Sequence, residues 1–367
     1  MKIKKICFFN RSSVHYRQNI YNLLDKELCV DFFFGDSRPG NIKEADYSQL
    51  HNFKGFLHNI TFGPFYWQRG VIKFLWSDYD IIITPGDTYC ISTWLLLLLY
   101  RITNKKVYIW THGAYGNEMG FKKFLTIFRI YLCSGAFLYG NYAKNILINY
   151  GVCPNKLYVI YNSLAYDQQI TLRKQLIASN IYRDHFNNDN KNLIFIGRLT
   201  KVKKLDLILD ALNLLKDSNI ILNITYVGDG IEQERLMELT NNLGLQTNVW
   251  FYGACYDEKI ISELLFNADI CISPGNVGLT AMHAMTFGCP VISHSKFTMQ
   301  MPEFEAIEDG ISGTFFTKDD AKDLSRAIYE WIQSGKSRDF IRQTCYEIID
   351  SKYNPHVQIQ IIKKAIL

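Results

Sequence analysis

The chain has 367 residues, 48% of them hydrophobic and 20% charged, a balance that excludes wholesale disorder and allows two domains of ordinary size. Its net charge of +5 is uneven: residues 1–190 carry 22 Lys and Arg against 13 Asp and Glu, and the rest carries 18 against 22. The basic first half suggests an anionic surface or substrate; a solvated basic face is the alternative.

The nine cysteines contain no Cys-x-x-Cys pair, so they predict reduced thiols in a cytosolic protein rather than disulfides or a zinc site. The first ten residues, MKIKKICFFN, lack the long apolar stretch of a signal peptide and are typical of a first strand. We therefore expect a cytoplasmic protein, with the inner face of the membrane as a possible place of contact.

Short apolar runs alternate with helical stretches through the first half, which favours a mostly parallel sheet with helices on both faces. The leucine-rich segment ISTWLLLLLY is too short to span a bilayer and is interpreted as a buried helix. The predicted strands are 3–10, 30–34, 81–84, 106–111, 136–139 and 157–161, and the predicted helices are 14–28, 91–100 and 121–132.

A polar, asparagine-rich stretch then interrupts the pattern and predicts a domain boundary. The alternation resumes at residue 193. We predict a first domain over residues 1–175, a linker over 176–191 and a second domain over 192–350, with a final helix, 351–367, packing back onto the first domain. The fold class is α/β: two Rossmann-like, doubly wound domains facing a central cleft.

The clearest local signal is LIFIGRLTKVKKLD, residues 193–206. An apolar strand runs into Gly197 and Arg198, and Lys203 lies close to the start of a helix. Two cations at the end of a strand, beside a helix N-terminus, suit a phosphate or diphosphate. The alternative is a basic loop on a solvated surface.

The second signal is SPGNVGLTAMHAMTFGCPVIS, residues 273–293. A strand ends at a glycine-bearing turn and a helix begins near 278–280, where free backbone N–H groups again favour an anion. His283, among Ala and Met residues of that helix, is either a core residue or part of the anion site.

Together with VGDGIEQERL at 227–236, the stretch 249–274 and EFEAIEDGISG at 303–313, these segments resemble glycosyltransferases of family four, a retaining class with the GT-B fold. The resemblance runs from about residue 193 to residue 313. It implies that Arg198 and Lys203 contact the diphosphate of a nucleotide-sugar donor, and that the Gly253–Ala254 turn lies near the base. The implied donor-binding residues are Gly197, Arg198, Lys203, Gly253, Ala254, Gly275, Asn276, Val277, Gly278, Leu279, Thr280 and His283.

The sequence departs from the family at two positions. The family carries two glutamates eight positions apart, and this chain has Gly275 and His283 there. His283 could still bind ribose hydroxyls, whereas Gly275 has no side chain to orient the sugar, which leaves sugar recognition to the backbone and Asn276. Loss of activity is the alternative.

In the first half, VYIWTHGAYGNE places His112 directly after a strand, where family members often have a histidine near the transferred sugar. His112 is therefore the predicted catalytic residue, with a structural imidazole as the alternative. The loop after the first strand offers candidates for an anionic acceptor: Arg11, Ser12, His15 and Arg17.

The helix 121–132 mixes Lys122, Lys123 and Arg129 with Phe and Ile, so it could lie on an anionic membrane surface or pack on the sheet with its basic residues outward. An Asp-x-Asp metal motif is absent from the sequence, so no metal or cofactor is expected, and no nucleic-acid partner is predicted.

The resemblance implies a retaining glycosyltransferase that acts on a glycan or a lipid-diphosphate-linked acceptor in surface polysaccharide synthesis. Another GT-B enzyme, such as a nucleotide-sugar epimerase, or a non-catalytic binding subunit, is the alternative.

Overall fold

The computed structural model describes residues 4–36 and 43–367, and the chain divides into two compact units. Unit 1 comprises Met1–Ala165 and Tyr353–Leu367, and unit 2 comprises Tyr166–Lys352. The division therefore falls ten residues before the predicted end of the first domain. The predicted linker 176–191 lies inside unit 2, because Tyr182 in it is buried and its hydroxyl donates to the carbonyl of Leu264 at 2.8 Å.

Unit 1 is built on a parallel sheet whose central strands are continuous apolar runs, as expected for strands covered on both faces. The described strands of unit 1 are β1 (Ile6–Asn10), β2 (Asp31–Gly35), β3 (Phe53–Leu57), β4 (Asn59–Phe62), β5 (Phe65–Gln68), β6 (Ile81–Pro85), β7 (Lys106–Thr111), β8 (Gly135–Leu138) and β9 (Leu157–Val159). Its first four helices are α1 (Gln18–Leu28), α2 (Ile91–Leu99), α3 (Gly120–Leu132) and α4 (Asn141–Asn149).

The strands of the sheet lie in the order β3-β2-β1-β6-β7-β8-β9. The chain adds strands on one side of β1 and then on the other, so the strand order reverses between β1 and β6, although the two strands are parallel. Phe8 of β1 pairs in register with Phe32 on one side and Ile83 on the other. Ligands in doubly wound sheets bind beyond the carboxyl ends of the strands at such a reversal, so the loops after β1 and β6 are the expected ligand side of unit 1.

Strands β4 and β5 form a separate antiparallel hairpin that the sequence analysis did not predict, with Phe62 paired to Phe65. Strand β3 was also missed, since FKGFL alternates exposed and half-buried residues around Gly55 and lacks a continuous apolar run. The leucine-rich helix α2 buries Leu96 and Leu97 in the core, as predicted for a buried helix.

Unit 2 repeats the alternation of helices and strands, as predicted. It begins with α5 (Tyr166–Arg173) and α6 (Ile181–Phe186). Its strands are β10 (Asn192–Ile196), β11 (Asn223–Val227), β12 (Val249–Gly253), β13 (Ile270–Ser273), β14 (Val291–His294) and β15 (Gly313–Phe316). Its further helices are α7 (Asp206–Asp217), α8 (Gln233–Asn242), α9 (Glu258–Asn267), α10 (Leu279–Thr286), α11 (Ala321–Gln333) and α12 (Arg338–Lys352).

The parallel sheet of unit 2 has the order β12-β11-β10-β13-β14-β15, so its reversal lies between β10 and β13. Leu193 of β10 pairs with Ile224 of β11 and with Ile270 of β13. These three residues are fully buried, and they fix the two loops that carry the sequence signals side by side at one edge of the sheet.

The last helix, α13 (Pro355–Ile366), belongs to unit 1. Ile359, Ile362 and Ile366 lie in the same buried cluster as Phe8 of β1. The side chain of Gln358, also buried, donates to the carbonyl of Tyr161 at 2.9 Å. The helix therefore completes one face of the unit 1 sheet. None of the helices in the described part of the chain combines the length and the apolar character needed to span a bilayer.

Candidate functional site

Two loops meet at the reversal of the unit 2 sheet, one after β10 and one after β13. Gly275 joins them: its N–H donates to the carbonyl of Lys203 at 3.0 Å. A Cβ built on Gly275 would lie 2.1 Å from the carbonyl oxygen of Val202, which no side chain tolerates. A glycine at position 275 is therefore required by the contact between the two loops.

The ammonium group of Lys203 lies at this contact. Its Nζ donates to the backbone carbonyl of Asn276 at 2.7 Å and to the side-chain oxygen at 3.1 Å. Burial, and then the nearby positive charge of Arg198, lower the pKa of Lys203 to about 8, against an opposing effect of Glu303. A cation held this way is positioned before any ligand arrives.

Arg198 is exposed, and no hydrogen bond from its guanidinium to another described residue is present. Gly197, which precedes it, has φ of +143°, a backbone conformation that favours glycine. The Arg198 side chain is thus free to move toward an anion, whereas Lys203 is fixed.

The turn before α10 is held by Gln300, whose side chain is buried. Its carbonyl oxygen accepts from the N–H of Val277 at 2.9 Å, and its amide donates to the hydroxyl of Ser293 at 2.8 Å. The N–H of Val277 is therefore already engaged. The N–H groups of Leu279 and Thr280, in the first turn of α10, have no intrahelical acceptor and face the end of the helix that attracts anions.

Gly278 and Thr280 complete this turn. Gly278 has φ of +52° at the start of α10. The hydroxyl of Thr280 donates to the carbonyl of Ile196, the last residue of β10, at 3.1 Å. The predicted segments around Gly197, Lys203 and 275–280 are thus brought together.

His283, on α10, is half-buried and pairs with a carboxylate that the sequence analysis assigned no role. Its Nε2 lies 2.9 Å from Oε1 of Glu258, the first residue of α9. Gln169 donates to the same oxygen at 2.7 Å. Burial would raise the pKa of Glu258, but the hydrogen bond and charge of His283 and the bond from Gln169 lower it overall. A carboxylate is thus present beside position 283, supplied by a neighbouring helix.

The Gly253–Ala254 turn lies further along the same edge, after the outermost strand β12. The carbonyl of Gly253 accepts from the N–H of Gly228 at 2.8 Å, and the N–H of Gly197 donates to Val227 at 3.0 Å. These bonds link the turn through the loop after β11 to the Gly197 loop. The turn is thus at the same edge but two strands away from Lys203.

A pocket of about 520 Å³ lies at the reversal of the unit 1 sheet, and His112 and Arg17 line it. The His112 ring packs against Tyr139 with ring centroids 4.9 Å apart. Burial, followed by the charge of Arg17, lowers the pKa of His112 to about 4, so the imidazole is neutral at pH 7. Arg17 donates to the hydroxyl of Tyr139 and lies 5.6 Å from the ring of Trp110.

Of the four acceptor-side candidates, Ser12 and Arg17 line this pocket and the other two do not. Arg11 is exposed and stacks on the ring of Tyr66 at 4.5 Å. His15 is also exposed, and its Nδ1 lies 3.1 Å from the carbonyl of Lys43. The structure therefore groups Ser12 and Arg17 with His112.

Arg129 differs from the expectation that helix α3 turns its basic residues outward. Its side chain is only 4% exposed, whereas Lys122 is exposed. The reason is its position: Arg129 falls on the face of α3 that packs inward, and its Nη1 donates to the hydroxyl of Thr88 at 2.7 Å. The signal was present in the sequence as an arginine three residues from Thr126 and from Leu132, both buried, but basic residues are more often exposed.

The sequence resembles known glycosyltransferases. Residues 180–347 match the family model "Glycosyl transferases group 1". An uncharacterized 41.2 kDa protein in the cps region of Klebsiella pneumoniae is 25% identical over 290 residues, which cover 72% of this chain and 74% of that protein. The putative glycosyltransferase EpsD of Bacillus subtilis is 27% identical over 146 residues, 39% of this chain and 36% of EpsD.

Solved structures match over the whole chain. Anabaena Alr3699/HepE in complex with UDP has a TM-score of 0.72 at 16% identity, covering 98% of this chain and 99% of that one. The apo form of the lipopolysaccharide outer core galactosyltransferase WaaB also has a TM-score of 0.72 at 16% identity, covering 99% of each chain. The predicted fold is confirmed: this chain has the GT-B Rossmann-like fold, and the family model that matches its second unit is that of the group 1 glycosyltransferases.

Proposed function

We propose that the protein is a glycosyltransferase that moves a sugar from a nucleotide-sugar donor to a hydroxyl of a glycan or lipid-linked oligosaccharide. We place it in surface polysaccharide assembly, with retention of anomeric configuration and without a metal ion. Unit 2 would hold the donor, and unit 1 the acceptor.

The observation that carries this proposal is the fixed cation of Lys203 at the reversal of the unit 2 sheet, beside the N-terminus of α10. Ligands of doubly wound sheets bind at such reversals, and helix N-termini favour phosphate. The segment that contains this arrangement also lies within the match to group 1 glycosyltransferases.

The similar proteins support a nucleotide-sugar donor and a place in surface polysaccharide assembly. A UDP complex and a UDP-glucose complex are among the structures with the same fold. One relative is encoded in a cps region, and one structural neighbour is a lipopolysaccharide galactosyltransferase. On this basis a UDP-sugar is the first donor to test.

In the proposed reaction the bond between the sugar and the diphosphate breaks, so negative charge grows on the leaving diphosphate. Lys203 and Arg198 would neutralise that charge, which is the role a metal ion has in other phosphate chemistry. Because position 275 has no carboxylate, a phosphate oxygen would accept the proton of the acceptor hydroxyl. His283, oriented by Glu258, would bind ribose hydroxyls, and neutral His112 would contact the sugar without adding charge.

Donor consumption tests the proposal. The full chain would be incubated with a panel of nucleotide sugars, with and without candidate acceptors, and release of nucleoside diphosphate would be measured. We expect release for one donor class, and at least a hundredfold lower kcat/KM for Lys203→Ala, because a charge-assisted contact to the leaving group is removed. Lys201→Ala removes an exposed lysine of the same turn and should leave the rate unchanged.

Other outcomes identify the alternatives. A donor that binds but is never consumed would make the chain a binding subunit, and a donor converted to its epimer without acceptor would make it an epimerase. The configuration of the product, read by NMR, tests retention. Full activity in the presence of a chelator is expected, and its loss would refute metal independence.

A further inference from the structure

Arg129 is a buried guanidinium with few partners. Its side chain is 4% exposed, and it lines the unit 1 pocket. Nη1 donates to Thr88, while Nε has no hydrogen-bond partner. No ion pair within 4.0 Å joins it to a carboxylate anywhere in residues 4–36 and 43–367. The negative charge of Asp87 acts on the guanidinium without a hydrogen bond between them.

A cation in this position destabilises the folded chain. Burial lowers the pKa of Arg129 to about 10, with Asp87 opposing the shift. Buried arginines are normally paired with carboxylates that satisfy their N–H groups, and an incompletely paired one is expensive to keep. An arginine on the wall of a pocket, with unused donors, is suited to an anionic ligand that supplies the missing acceptors.

The other charged groups of the pocket leave Arg129 available. Lys122 lies on the same helix, and Arg17 lines the pocket as well. The carboxylate of Glu118 accepts from the N–H groups of Tyr115 and Gly116, at 2.7 and 3.0 Å. Asp87 accepts from the N–H of Tyr89 at 2.9 Å. Both acids thus bond to the backbone of their own loops, and three cations line the same space.

We propose that this pocket binds a phosphate or diphosphate group of the acceptor, with Arg129 as its principal ligand and Lys122 as a second cation. The planar guanidinium matches phosphate oxygens in a bidentate way. A volume of about 520 Å³ accommodates a diphosphate together with a sugar ring. The identification of the ligand as an acceptor rests on the proposed function, whereas the anion site itself is inferred from the geometry of unit 1.

The rim of the pocket indicates the source of the phosphate. Aromatic side chains continue away from it along α3, where the exposed Phe121 and Phe124 stack at a centroid distance of 6.1 Å and the half-buried Phe128 stacks on Phe124 at 5.5 Å. Phe121 is 73% exposed and Phe124 is 55% exposed. An apolar row beside a cationic pocket is complementary to a lipid diphosphate, whose chain would lie on the rings.

Direct titration tests the site. Inorganic pyrophosphate and geranylgeranyl diphosphate in detergent are titrated into the full chain carrying Arg198→Ala and Lys203→Ala, which together remove both cations of the proposed donor diphosphate site. We expect both probes to bind, the lipid form more tightly, and Arg129→Gln to weaken both by about tenfold or more. Arg69→Gln, which removes an exposed arginine of unit 1 outside the pocket, is the matched control.

Unchanged affinity in a folded Arg129→Gln variant overturns the proposal, and so does an equal loss in the Arg69→Gln control. Equal affinity for the two probes overturns the lipid source and leaves a phosphorylated glycan. If Arg129→Gln does not fold, Arg129→Lys and Lys122→Gln replace it, and full affinity in both refutes the site. If none of the nucleotide sugars is consumed, the proposed function is wrong, but the outcome of these titrations is unaffected.

Discussion

At the scale of single residues, Lys203 shows how the fold prepares a charge. An exposed lysine would be a flexible, fully hydrated cation, but here two oxygens of Asn276 hold the ammonium group in place. The sequence identified the residue from its distance to Gly197, and it could not show that partial burial brings its pKa to about 8. The larger cause of that shift is burial, which the tertiary structure sets, and the smaller is the charge of Arg198, five residues away.

The lowered pKa of Lys203 predicts a pH-dependent affinity for UDP. Lys203 is charged below pH 8 and loses its proton above it, so the Kd of UDP should rise between pH 7.5 and pH 9.5, by up to about tenfold per pH unit. Lys203→Arg should show a much flatter profile, since a guanidinium does not titrate there. Any protonation change of UDP itself affects the unaltered chain and the Lys203→Arg variant equally. Calorimetric Kd values that rise in parallel for the two proteins would therefore contradict the role of Lys203.

His283 and Glu258 illustrate a limit of motif comparison. The resemblance stated in the sequence analysis implies a carboxylate at position 283, where this chain has a histidine. In the structure Glu258 lies 2.9 Å from the histidine. A position-by-position comparison cannot show this neighbouring carboxylate, because it comes from another helix.

At the scale of elements, the turn after β13 is positioned by packing. Gly275 is buried, and its N–H bonds to Lys203 across the two loops. The sequence predicted a glycine turn at this place, and the close approach of Val202 explains why glycine stands there.

Gly275→Ala should therefore destabilise the chain strongly. The new Cβ would meet backbone atoms at 2.1 Å, so the loops must separate, and we expect a loss of about 3 kcal/mol or more in unfolding free energy together with weaker UDP binding. Gly310→Ala, where φ is +71° but the space is open, should lose only about 1 kcal/mol from backbone strain. Urea unfolding compares the two, and similar losses would show that the loop contact is unimportant.

Helix α3 was predicted as an element, but its orientation was not. The observed helix, Gly120–Leu132, begins one residue before the prediction. The alternation of Lys, Arg and Phe fits either a membrane-facing surface or a face packed on the sheet. The structure gives a mixture: Phe121 and Phe124 are exposed while Arg129 is buried. Hydrophobic spacing decides that a helix forms, and tertiary packing decides which polar residue it buries.

At the scale of the whole molecule, each unit holds a histidine that is neutral when folded: His112, half-buried, in unit 1 and His294, buried, in unit 2. Burial lowers the pKa of His112 in unit 1 and of His294 in unit 2, each to about 4; the charge of Arg17 adds to the shift at His112, and that of Lys318 at His294. His294 is 1% exposed, and its Nδ1 accepts from the N–H of Lys296, a bond that protonation at Nδ1 would break.

Both units should therefore lose stability as the pH falls. The unfolded chain binds protons below pH 6.5 while the folded histidines bind them only near pH 4, so unfolding free energy falls between these values. The slope approaches about 1.4 kcal/mol per pH unit for each histidine. The urea midpoint of the double variant His112→Gln and His294→Gln should change less between pH 6.5 and pH 4.5. His51→Gln, at an exposed position, is the control, and an unaltered slope in the double variant would refute this assignment.

The sequence by itself determined the succession of helices and strands, the α/β class and the segments that carry glycine turns, because these depend on local apolar periodicity and backbone freedom. It did not show the short strand β15 or the first boundary between the units, since those rest on contacts between distant residues. It also did not show the hairpin of β4 and β5, whose strands are short and largely exposed and so lack a buried apolar run. Only the tertiary structure decided that Lys203 meets Asn276, that Glu258 meets His283 and that Arg129 is buried. The reason is physical: a pKa, a buried charge and a steric limit are set by the atoms within a few ångströms, and in a parallel sheet those atoms come from segments far apart in the chain.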